Sequence, residues 1–346
     1  MPDKQVLVEI KSLKKYYPIE RGLLKRQEGV VKAVDDITLN VYRNETLGMV
    51  GESGCGKTTL GRTILRIIEP TSGEVRFHFD NESIDFLALD KHELRKMRRN
   101  VQMIFQNPYT SLNARMTIFD IVAEPMRLAK TYSEQEIVER VKFLIAKVGL
   151  EVKHLNRFPH AFSGGQRQRI GIARALSLNP RFIVADEAVS ALDVSIQAQI
   201  LNLMADLKEE AGLTYLFIAH DLSVIEHISD RVCVLYLGRV VELAKTEDLF
   251  FSPRHPYTEA LMSAIPVPDP KAENTRISLP GEVASAANLP SGCAFHPRCR
   301  YATEECAAAI PPLTDMGGEH FVACHRAAEL SLSGVRELKM RQVQKA

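Results

Sequence analysis

Hydrophobic and polar positions alternate in short runs near the start of the chain. Residues 6–10 and 37–41 follow the period of two that is typical of half-buried β-strands. Between them, residues 19–29 are polar, basic and contain glycine, which predicts a surface loop. An apolar run at residues 46–50 precedes a glycine-rich stretch, and residues 57–68 carry apolar side chains at helical spacing. The order predicts a β-rich N-terminal part that passes into a strand, a loop and a helix.

A second pattern predicts a helix with marked ends. Ser133 and Glu136 have the spacing of a capping box, in which each side chain bonds the main-chain N–H of the other residue. Gly149 is expected to end the helix. The apolar residues between these ends share one helical face: Ile137, Val141, Leu144, Ile145 and Val148. We therefore expect this helix to pack one face against a core.

Three short apolar runs, at residues 182–185, 216–219 and 232–235, predict buried strands. The first two are separated by an amphipathic helix that ends before Gly212. Its apolar face consists of Ile196, Ile200, Leu203 and Leu207. Buried strands that alternate with helices are typical of a parallel sheet covered on both faces. The sequence therefore predicts an α/β fold with a parallel-sheet core.

Composition narrows the class of protein. The chain has 346 residues, of which 45% are hydrophobic and 25% charged, and this mixture excludes disorder and coiled coil as the main organisation. The net charge is +1, which offers no general attraction for nucleic acid. No apolar window approaches the length of about 18 residues that a membrane span needs. Residues 1–15 lack the apolar core of a signal peptide, so we expect a cytoplasmic location.

The glycine-rich stretch fits the phosphate-loop pattern G-x-x-x-x-G-K-[ST]. Glycines let the chain curl so that main-chain N–H groups and the N-terminus of the following helix face one phosphate cluster. Lys57 can reach the β- and γ-phosphates, and the Thr58 hydroxyl can join the Mg²⁺ shell. The candidate nucleotide-binding residues are Gly51, Ser53, Gly54, Cys55, Gly56, Lys57, Thr58 and Thr59. A chance glycine turn is the alternative, but such a turn would need neither the strand before it nor the helix after it.

Two carboxylates, Asp186 and Glu187, end the apolar run at residues 182–185. The C-terminal end of a buried strand is where α/β sheets bind ligands. Asp186 would hold Mg²⁺, directly or through water, and Glu187 would orient or deprotonate an attacking water. His220 follows the next apolar run and could contact the γ-phosphate. The alternative for Asp186 and Glu187 is a solvated acidic turn, and the alternative for His220 is a purely structural role.

With these motifs, residues 163–169 (SGGQRQR) resemble the signature motif of the ABC ATPases, although Phe162 stands where leucine is frequent. Residues 190–193 (SALD) resemble the D-loop of that family, and His220 resembles its switch histidine. Ala188 departs from the family pattern, which usually has proline there. Alanine should leave the carboxylate chemistry intact and loosen communication across a dimer.

Two further residues resemble nucleotide-binding positions of the family. Gln106 resembles the Q-loop glutamine, a Mg²⁺ ligand beside Thr58 and Asp186. Tyr17 resembles the aromatic residue that stacks on adenine, and Tyr16 is the weaker candidate for that role.

The resemblance implies that two ATP molecules bind between two subunits arranged head to tail. Glu187 and His220 would serve hydrolysis, while Ser163, Gly165 and Gln166 would complete the site of the partner subunit. It further implies a second ATPase subunit, two transmembrane permease subunits and, indirectly, an extracytoplasmic substrate-binding protein, with the chain peripheral at the cytoplasmic face of the cell membrane.

Three stretches resemble the oligopeptide/dipeptide importer branch: residues 18–31, 253–258 and 293–299. The N-terminal insert at residues 18–31 resembles that of the second of the two paired ATPase subunits more than that of the first. We therefore expect a P-loop ABC ATPase domain at residues 1–265, with an N-terminal antiparallel β subdomain and a helical subdomain at about 107–175. Frequent prolines after Ala264 predict a small loop-rich C-terminal cysteine domain at residues 266–346.

Four cysteines crowd this extension, namely Cys293, Cys299, Cys306 and Cys324. Four thiolates can hold Zn²⁺ or an iron–sulfur cluster, and the short knuckles typical of structural zinc are absent. The importer branch includes subunits with a [4Fe–4S] cluster here, so we expect that cluster. Zinc, with His296, His320 or His325 as further ligands, and unligated thiols are the alternatives.

The leading functional prediction is an ATPase that powers uptake of di- and oligopeptides. The same engine could serve other cargo, namely nickel chelates, glutathione or oligosaccharides. A soluble ABC protein acting on ribosomes or DNA is a third possibility, but such proteins usually carry two cassettes or a long coiled coil. This chain has one cassette and no heptad run.

Overall fold

The computed structural model describes residues 5–21, 26–80, 82–265, 276–281 and 284–335, with main chain only at 20–21 and 26–28. Its strands are β1 (Val6–Arg21), β2 (Arg26–Tyr42), β3 (Thr46–Val50), β4 (Ser72–Phe79), β5 (Glu82–Asp85), β6 (Val101–Ile104), β7 (Phe182–Asp186), β8 (Thr214–Ile218), β9 (Arg231–Tyr236), β10 (Arg239–Lys245), β11 (Thr314–Asp315) and β12 (Phe321–Val322). Its α-helices are α1 (Lys57–Ile64), α2 (Lys91–Met97), α3 (Ile118–Ala129), α4 (Glu134–Lys147), α5 (Gly164–Leu176), α6 (Val194–Ala211), α7 (Leu222–Ile228), α8 (Thr246–Phe251), α9 (Pro256–Ser263) and α10 (Glu304–Ala308).

The chain forms two compact units. The first comprises Met1–Val8, Val41–Thr46 and Arg76–Ala219, and the second comprises Glu9–Asn40, Leu47–Val75 and His220–Ala346. Among the described helices, none is long and apolar enough to cross a membrane.

The first unit is built on a parallel sheet in the order β8–β7–β6. Phe182 of β7 lies opposite Val101 of β6 and Thr214 of β8. Every residue of β7 and β8 is buried, because a parallel strand with layers on both faces needs apolar side chains throughout. The predicted strands at 182–185 and 216–219 are therefore confirmed.

Two helices of the first unit have the ends that the sequence predicts. In α4 the Ser133 hydroxyl accepts a bond from the Glu136 N–H, and the Glu136 carboxylate accepts from the Ser133 N–H at 2.7 Å. Gly149 follows with a φ of 74°, a conformation that glycine adopts without strain. Gly212 ends α6 in the same way, with a φ of 61°. The predicted apolar faces of both helices turn toward the core, although Ile196 and Leu203 of α6 are only partly buried.

The second unit carries a mixed sheet in the order β11–β12–β10–β9–β3. β3 and β9 are parallel, with Gly48 opposite Val232, whereas β10 runs antiparallel to β9. β12 extends this sheet by pairing Val322 with Glu242 of β10. The C-terminal segment thereby contributes strands to the sheet that also contains β3. A separate C-terminal cysteine domain is consequently not confirmed, and its predicted start at residues 266–275 lies outside the described residues.

Two predicted boundaries are wrong. Residues 19–21 and 26–29, expected in a loop, lie in β1 and β2, because pairing between neighbouring strands satisfies the main chain whatever the side chains are; residues 22–25 lie outside the described part. The helix expected to reach Ile68 ends at Ile64, since Arg66 adopts a φ of 49° that no helix continues.

Candidate functional site

The glycine-rich loop lies between β3 and α1 in the second unit, as predicted. Gly51 and Gly56 have φ values of 151° and 105°. A Cβ on Gly51 would lie 2.2 Å from the Leu235 carbonyl oxygen, and one on Gly56 would lie 2.0 Å from the Ala33 carbonyl oxygen. The tight curl of the loop thus excludes side chains at both positions.

Lys57 is buried at the start of α1, with 5% of its surface exposed. Its ammonium group donates to the carbonyl oxygens of Gly51 at 2.7 Å and Glu52 at 3.1 Å. The cation is thereby held inside the curl of the loop, where a phosphate anion would meet it. Burial raises the pKa of the neighbouring Cys55 thiol, and the Lys57 charge opposes that shift only in part.

The other loop residues differ in their exposure to solvent. Ser53 and Gly54 are exposed, whereas Thr58 and Thr59 are half-buried in the first turn of α1. Gly56 precedes α1 without a side chain that caps it, so the loop leaves the helix N-terminus to a ligand with negative charge.

In the first unit, β7 ends in the two predicted carboxylates. Asp186 is fully buried, and Glu187 follows it half-buried with a φ of 47°. The Gln106 side-chain amide donates to the Glu187 carboxylate at 2.6 Å. The structure therefore brings together Gln106 and Glu187, two of the predicted site residues.

The signature residues form the start of α5. The Ser163 hydroxyl accepts from the Gln166 N–H at 3.3 Å, and the Gln166 side-chain oxygen accepts from the Ser163 N–H at 3.0 Å. Gly165 packs on α6, where an added Cβ would lie 2.4 Å from Ile196 Cγ2. Ser163 and Gln166 are exposed, so this helix start presents a hydroxyl and the positive end of a helix dipole to solvent.

The two N-terminal tyrosines have different surroundings. The Tyr16 hydroxyl donates to the Asp35 carboxylate, which also binds Arg239 at 2.7 Å. Burial and this bond raise the pKa of Tyr16 to about 12. Tyr17 is half-buried, with the Lys15 ammonium 4.8 Å from its ring centroid. Because the Tyr16 hydroxyl is already bonded to Asp35, Tyr17 is the better candidate for stacking on a base. His220 lies just past β8 and is exposed.

The four C-terminal cysteines line one cavity in the second unit, together with His296 and His325. Burial raises the pKa values of Cys293, Cys299 and Cys324, the last to about 11. Deprotonation of each thiol is made harder by its neighbouring cysteines as well.

The predicted ligands for the cysteines can be compared with the groups that surround them. Within the described residues, no group of three or more His, Cys, Asp or Glu side chains is placed so that it could hold a metal ion. His320 lies away from the cavity, since its ring nitrogen bonds the buried Glu242 carboxylate at 2.6 Å. No disulfide links any of the six cysteines.

Two side-chain pairs of the second unit are not predictable from the sequence pattern. Arg298 binds Glu52 of the phosphate loop, and Arg239 binds Asp35. The first pair spans 246 positions and the second 204. No local pattern marks such partners, because each arginine is an ordinary surface residue type when read alone.

Comparison with known proteins gives the family. A family model described as "ABC transporter" matches residues 34–190, and one described as "Oligopeptide/dipeptide transporter, C-terminal region" matches residues 241–306. The probable peptide ABC transporter ATP-binding protein y4tS of Sinorhizobium fredii is 51% identical, with 96% of this chain and 95% of that protein covered. The oligopeptide transport ATP-binding protein AppF of Bacillus subtilis is also 51% identical, covering 93% of this chain and 98% of that protein.

Solved structures agree with the sequence relatives. A dimeric post-hydrolysis state of the ATP-binding cassette MJ0796, bound to ADP and Pi, is 32% identical with a TM-score of 0.60, covering 69% of this chain and 99% of that one. CbiO1 from Clostridium perfringens, part of the ABC transporter complex cbiONQ, is 25% identical with the same TM-score of 0.60, and covers 71% of this chain and 91% of that one. The chain therefore has the P-loop ABC ATPase fold and belongs to the oligopeptide/dipeptide family of ABC transporter ATP-binding proteins.

Proposed function

We propose that this chain hydrolyses ATP to power the uptake of di- and oligopeptides through separate transmembrane subunits. The observation that carries the proposal is the match of residues 241–306 to the C-terminal region of oligopeptide/dipeptide transporters, in a chain with a complete phosphate loop. Relatives over nearly the whole length are named for peptide transport. Peptide is therefore favoured over nickel chelates, glutathione or oligosaccharides as the cargo.

The phosphate loop would bind the ATP phosphates through its main-chain N–H groups, from Gly51 to Thr59. Lys57 would exchange its bonds to the loop carbonyls for bonds to the β- and γ-phosphates. Tyr17 would stack on the adenine ring. The roles of the loop and of Lys57 are supported by the curl of the loop around a buried ammonium group and by the uncapped start of α1.

The oxygen donors Thr58, Gln106 and Asp186 would hold Mg²⁺, a set of ligands that suits a hard cation. When bound, the ion neutralises charge on the phosphates. Glu187 would take a proton from the attacking water and Gln106 would orient Glu187, which the 2.6 Å bond between them supports. His220 would contact the γ-phosphate.

A second ATPase subunit would complete each site. Ser163, Gly165 and Gln166 would face the ATP of the partner, where the hydroxyl and the α5 N-terminus oppose γ-phosphate charge. Support comes from the related cassette, which is a dimer bound to ADP and Pi. We propose a heterodimer in which this chain is the second of two paired subunits.

Two permease subunits would anchor the dimer, and the chain would lie peripherally on the cytoplasmic face of the cell membrane. Exposed aromatic side chains support a docking surface beside the Q-loop and the helical insert: Phe105 and Tyr109 flank Gln106 in the sequence, and Phe158 belongs to the insert. An extracytoplasmic binding protein would select the cargo.

The four cysteines would hold a [4Fe–4S] cluster. All four line one cavity, and a cluster accepts four thiolates at wider spacing than a single ion. Since burial favours the protonated thiols, binding of the cluster would have to displace their protons.

Glu187→Gln tests the hydrolytic role. The amide oxygen can still accept the bond from Gln106, so ATP binding should persist while hydrolysis falls about a hundredfold or more. ATP turnover of the complex assembled with its permeases and ATP affinity are measured together, with the exposed Glu139→Gln as control. Near-normal turnover by Glu187→Gln would refute the assignment.

Anaerobic purification tests the cluster. We expect a brown protein with iron and sulfide in equal amounts, near about four of each per chain. Replacement of Cys306 by serine should bleach the visible absorption, whereas Cys233→Ser, in a strand away from the cavity, should not. A colourless protein with one zinc ion per chain would contradict the cluster and leave the ATPase assignment standing.

A further inference from the structure

Glu52, the second residue of the phosphate loop, makes polar contacts through its N–H, its carbonyl oxygen and its carboxylate. Its N–H donates to the Tyr257 hydroxyl at 2.8 Å, and its carbonyl oxygen accepts from Lys57 at 3.1 Å. Its carboxylate accepts two bonds from Arg298, at 2.8 and 3.1 Å. The conformation of this part of the loop is therefore tied to α9 and to the C-terminal segment.

Arg298 reaches Glu52 from the loop that joins two of the cysteines. Between Cys293 and Cys299 the chain forms a tight turn, with the His296 N–H bonded to the Cys293 carbonyl at 2.9 Å and the Cys299 N–H bonded to the His296 carbonyl at 3.2 Å. Arg298 is the residue directly before Cys299. Any change in the position of that cysteine is transmitted to it through one peptide bond.

The same turn is anchored by an aromatic cluster. Phe295 is 2% exposed, and its ring centroid lies 5.3 Å from that of Tyr236 and 5.4 Å from that of Tyr257. Arg298 also donates to the Tyr236 hydroxyl at 3.4 Å. The Tyr236 hydroxyl accepts from Arg298, and the Tyr257 hydroxyl accepts from the Glu52 N–H. The turn, the aromatic rings and the phosphate loop therefore pack against one another.

The charge of Glu52 explains why this contact matters for nucleotide. A carboxylate in a loop that receives phosphate anions repels them unless a cation neutralises it. Arg298 supplies that cation through a bidentate pair, the strongest geometry for a carboxylate. The Arg298 side chain is 9% exposed and the Glu52 side chain 27%, so the guanidinium group is largely shielded from water while the carboxylate is partly accessible.

We propose that Arg298 is a positioning residue for the phosphate loop, and that through it the cysteine segment sets the affinity for ATP. Arg298 neutralises and orients Glu52, and the turn that ends at Cys299 fixes Arg298. By linkage, ATP binding in turn favours the ordered cysteine segment. The proposal rests on the proposed function, since it requires that the loop bind ATP.

The test measures ATP affinity of the full-length protein in EDTA, where hydrolysis is absent. Arg298→Ala should weaken ATP binding about tenfold, and Arg298→Lys should weaken it less, because one ammonium group keeps the charge without the two parallel bonds. Adding Glu52→Gln to Arg298→Ala should restore affinity to within about threefold of wild type, since the repelling charge is then gone. A merely structural loss of packing would not be rescued in this way.

Arg300→Ala is the matched control. Arg300 lies on the other side of Cys299 and pairs with the buried Glu259 carboxylate at 2.8 Å, away from the phosphate loop. Its replacement should leave ATP affinity within about twofold of wild type, because its partner Glu259 lies outside the phosphate loop. Equal losses in the Arg298→Ala and Arg300→Ala proteins would overturn the positioning role, as would the absence of rescue by Glu52→Gln.

Cys299→Ser tests the link to the cysteines. It should weaken ATP binding in the wild-type background but add no further loss to Arg298→Ala, because both changes act along one path. Unchanged affinity in Cys299→Ser, or additive losses in the double variant, would overturn the coupling. Failure of wild-type protein to bind ATP would instead refute the proposed function, and wild-type protein without iron would refute only the cluster.

Discussion

At the scale of single residues, Glu187, the proposed general base, is held in an unfavourable main-chain conformation. Its φ of 47° is uncommon for a residue with a side chain. Its N–H donates to the Ile218 carbonyl at 2.9 Å, and the Ser190 N–H and hydroxyl both donate to its carbonyl. These bonds offset a main-chain cost of about 1–3 kcal/mol and fix the direction of the carboxylate. The acidic pair was predictable from its place after an apolar run, but the strain was not, because no pattern of residue types encodes one φ angle.

His255 gives the second unit a stability that depends on pH. Burial lowers its pKa to about 3, and its ring nitrogen accepts from the Tyr257 N–H at 3.1 Å, so the folded protein holds the neutral ring. In the unfolded chain the ring takes up a proton below about pH 6.5. The contribution of His255 is therefore complete above that pH and is lost as the pH falls toward 3.

We expect the wild-type free energy of unfolding to lose about 2 kcal/mol between pH 6.5 and pH 5 through this residue alone. His255→Asn keeps an acceptor for the Tyr257 N–H without a titrating group, so its unfolding energy should fall less over that range. Urea melts at both pH values measure the difference, with the exposed His160→Asn as control. Parallel losses in the wild-type and His255→Asn proteins would show that the buried ring has no such role.

At the scale of elements, local signals placed the regular structure well where caps and apolar faces coincide. Ser133, Glu136 and Gly149 mark both ends of α4, because capping depends on neighbours in the sequence. The ends of β1 and β2 were not predictable, since their pairing is a contact between segments. The four-residue strand β6 is likewise too short for its period to stand out.

Two glycines of α5 differ in the space that surrounds them. A Cβ on Gly165 would lie 2.4 Å from Ile196 Cγ2, whereas one on Gly171 would meet nothing within 4 Å. Gly165→Ala should destabilise the protein by about 1–3 kcal/mol through overpacking against α6. Gly171→Ala should stabilise it by up to about 1 kcal/mol, because alanine favours a helix interior. Thermal unfolding of both variants measures the signs, and the same sign for both would contradict the packing described for α5.

At the scale of the whole molecule, contacts between distant parts of the sequence carry what local reasoning could not supply. The phosphate loop, the acidic strand end and the four cysteines were found as motifs, since each consists of near neighbours or of one residue type. The Glu52–Arg298 and Asp35–Arg239 pairs join residues 246 and 204 positions apart. Such pairs follow from the fold, because strands and turns that are distant in sequence meet only when the sheet of the second unit forms.

The central claim is that ATP hydrolysis by this chain drives uptake of peptides, and transport in cells that lack the chain tests it most directly. Uptake of a labelled tripeptide is measured beside uptake of a nickel chelate, glutathione and an oligosaccharide, with wild-type protein, Glu187→Gln or Glu139→Gln restored to the deleted strain. We predict that tripeptide uptake disappears on deletion, returns with wild type and Glu139→Gln, and stays absent with Glu187→Gln. Tripeptide uptake that survives deletion while another cargo is lost would contradict the claim.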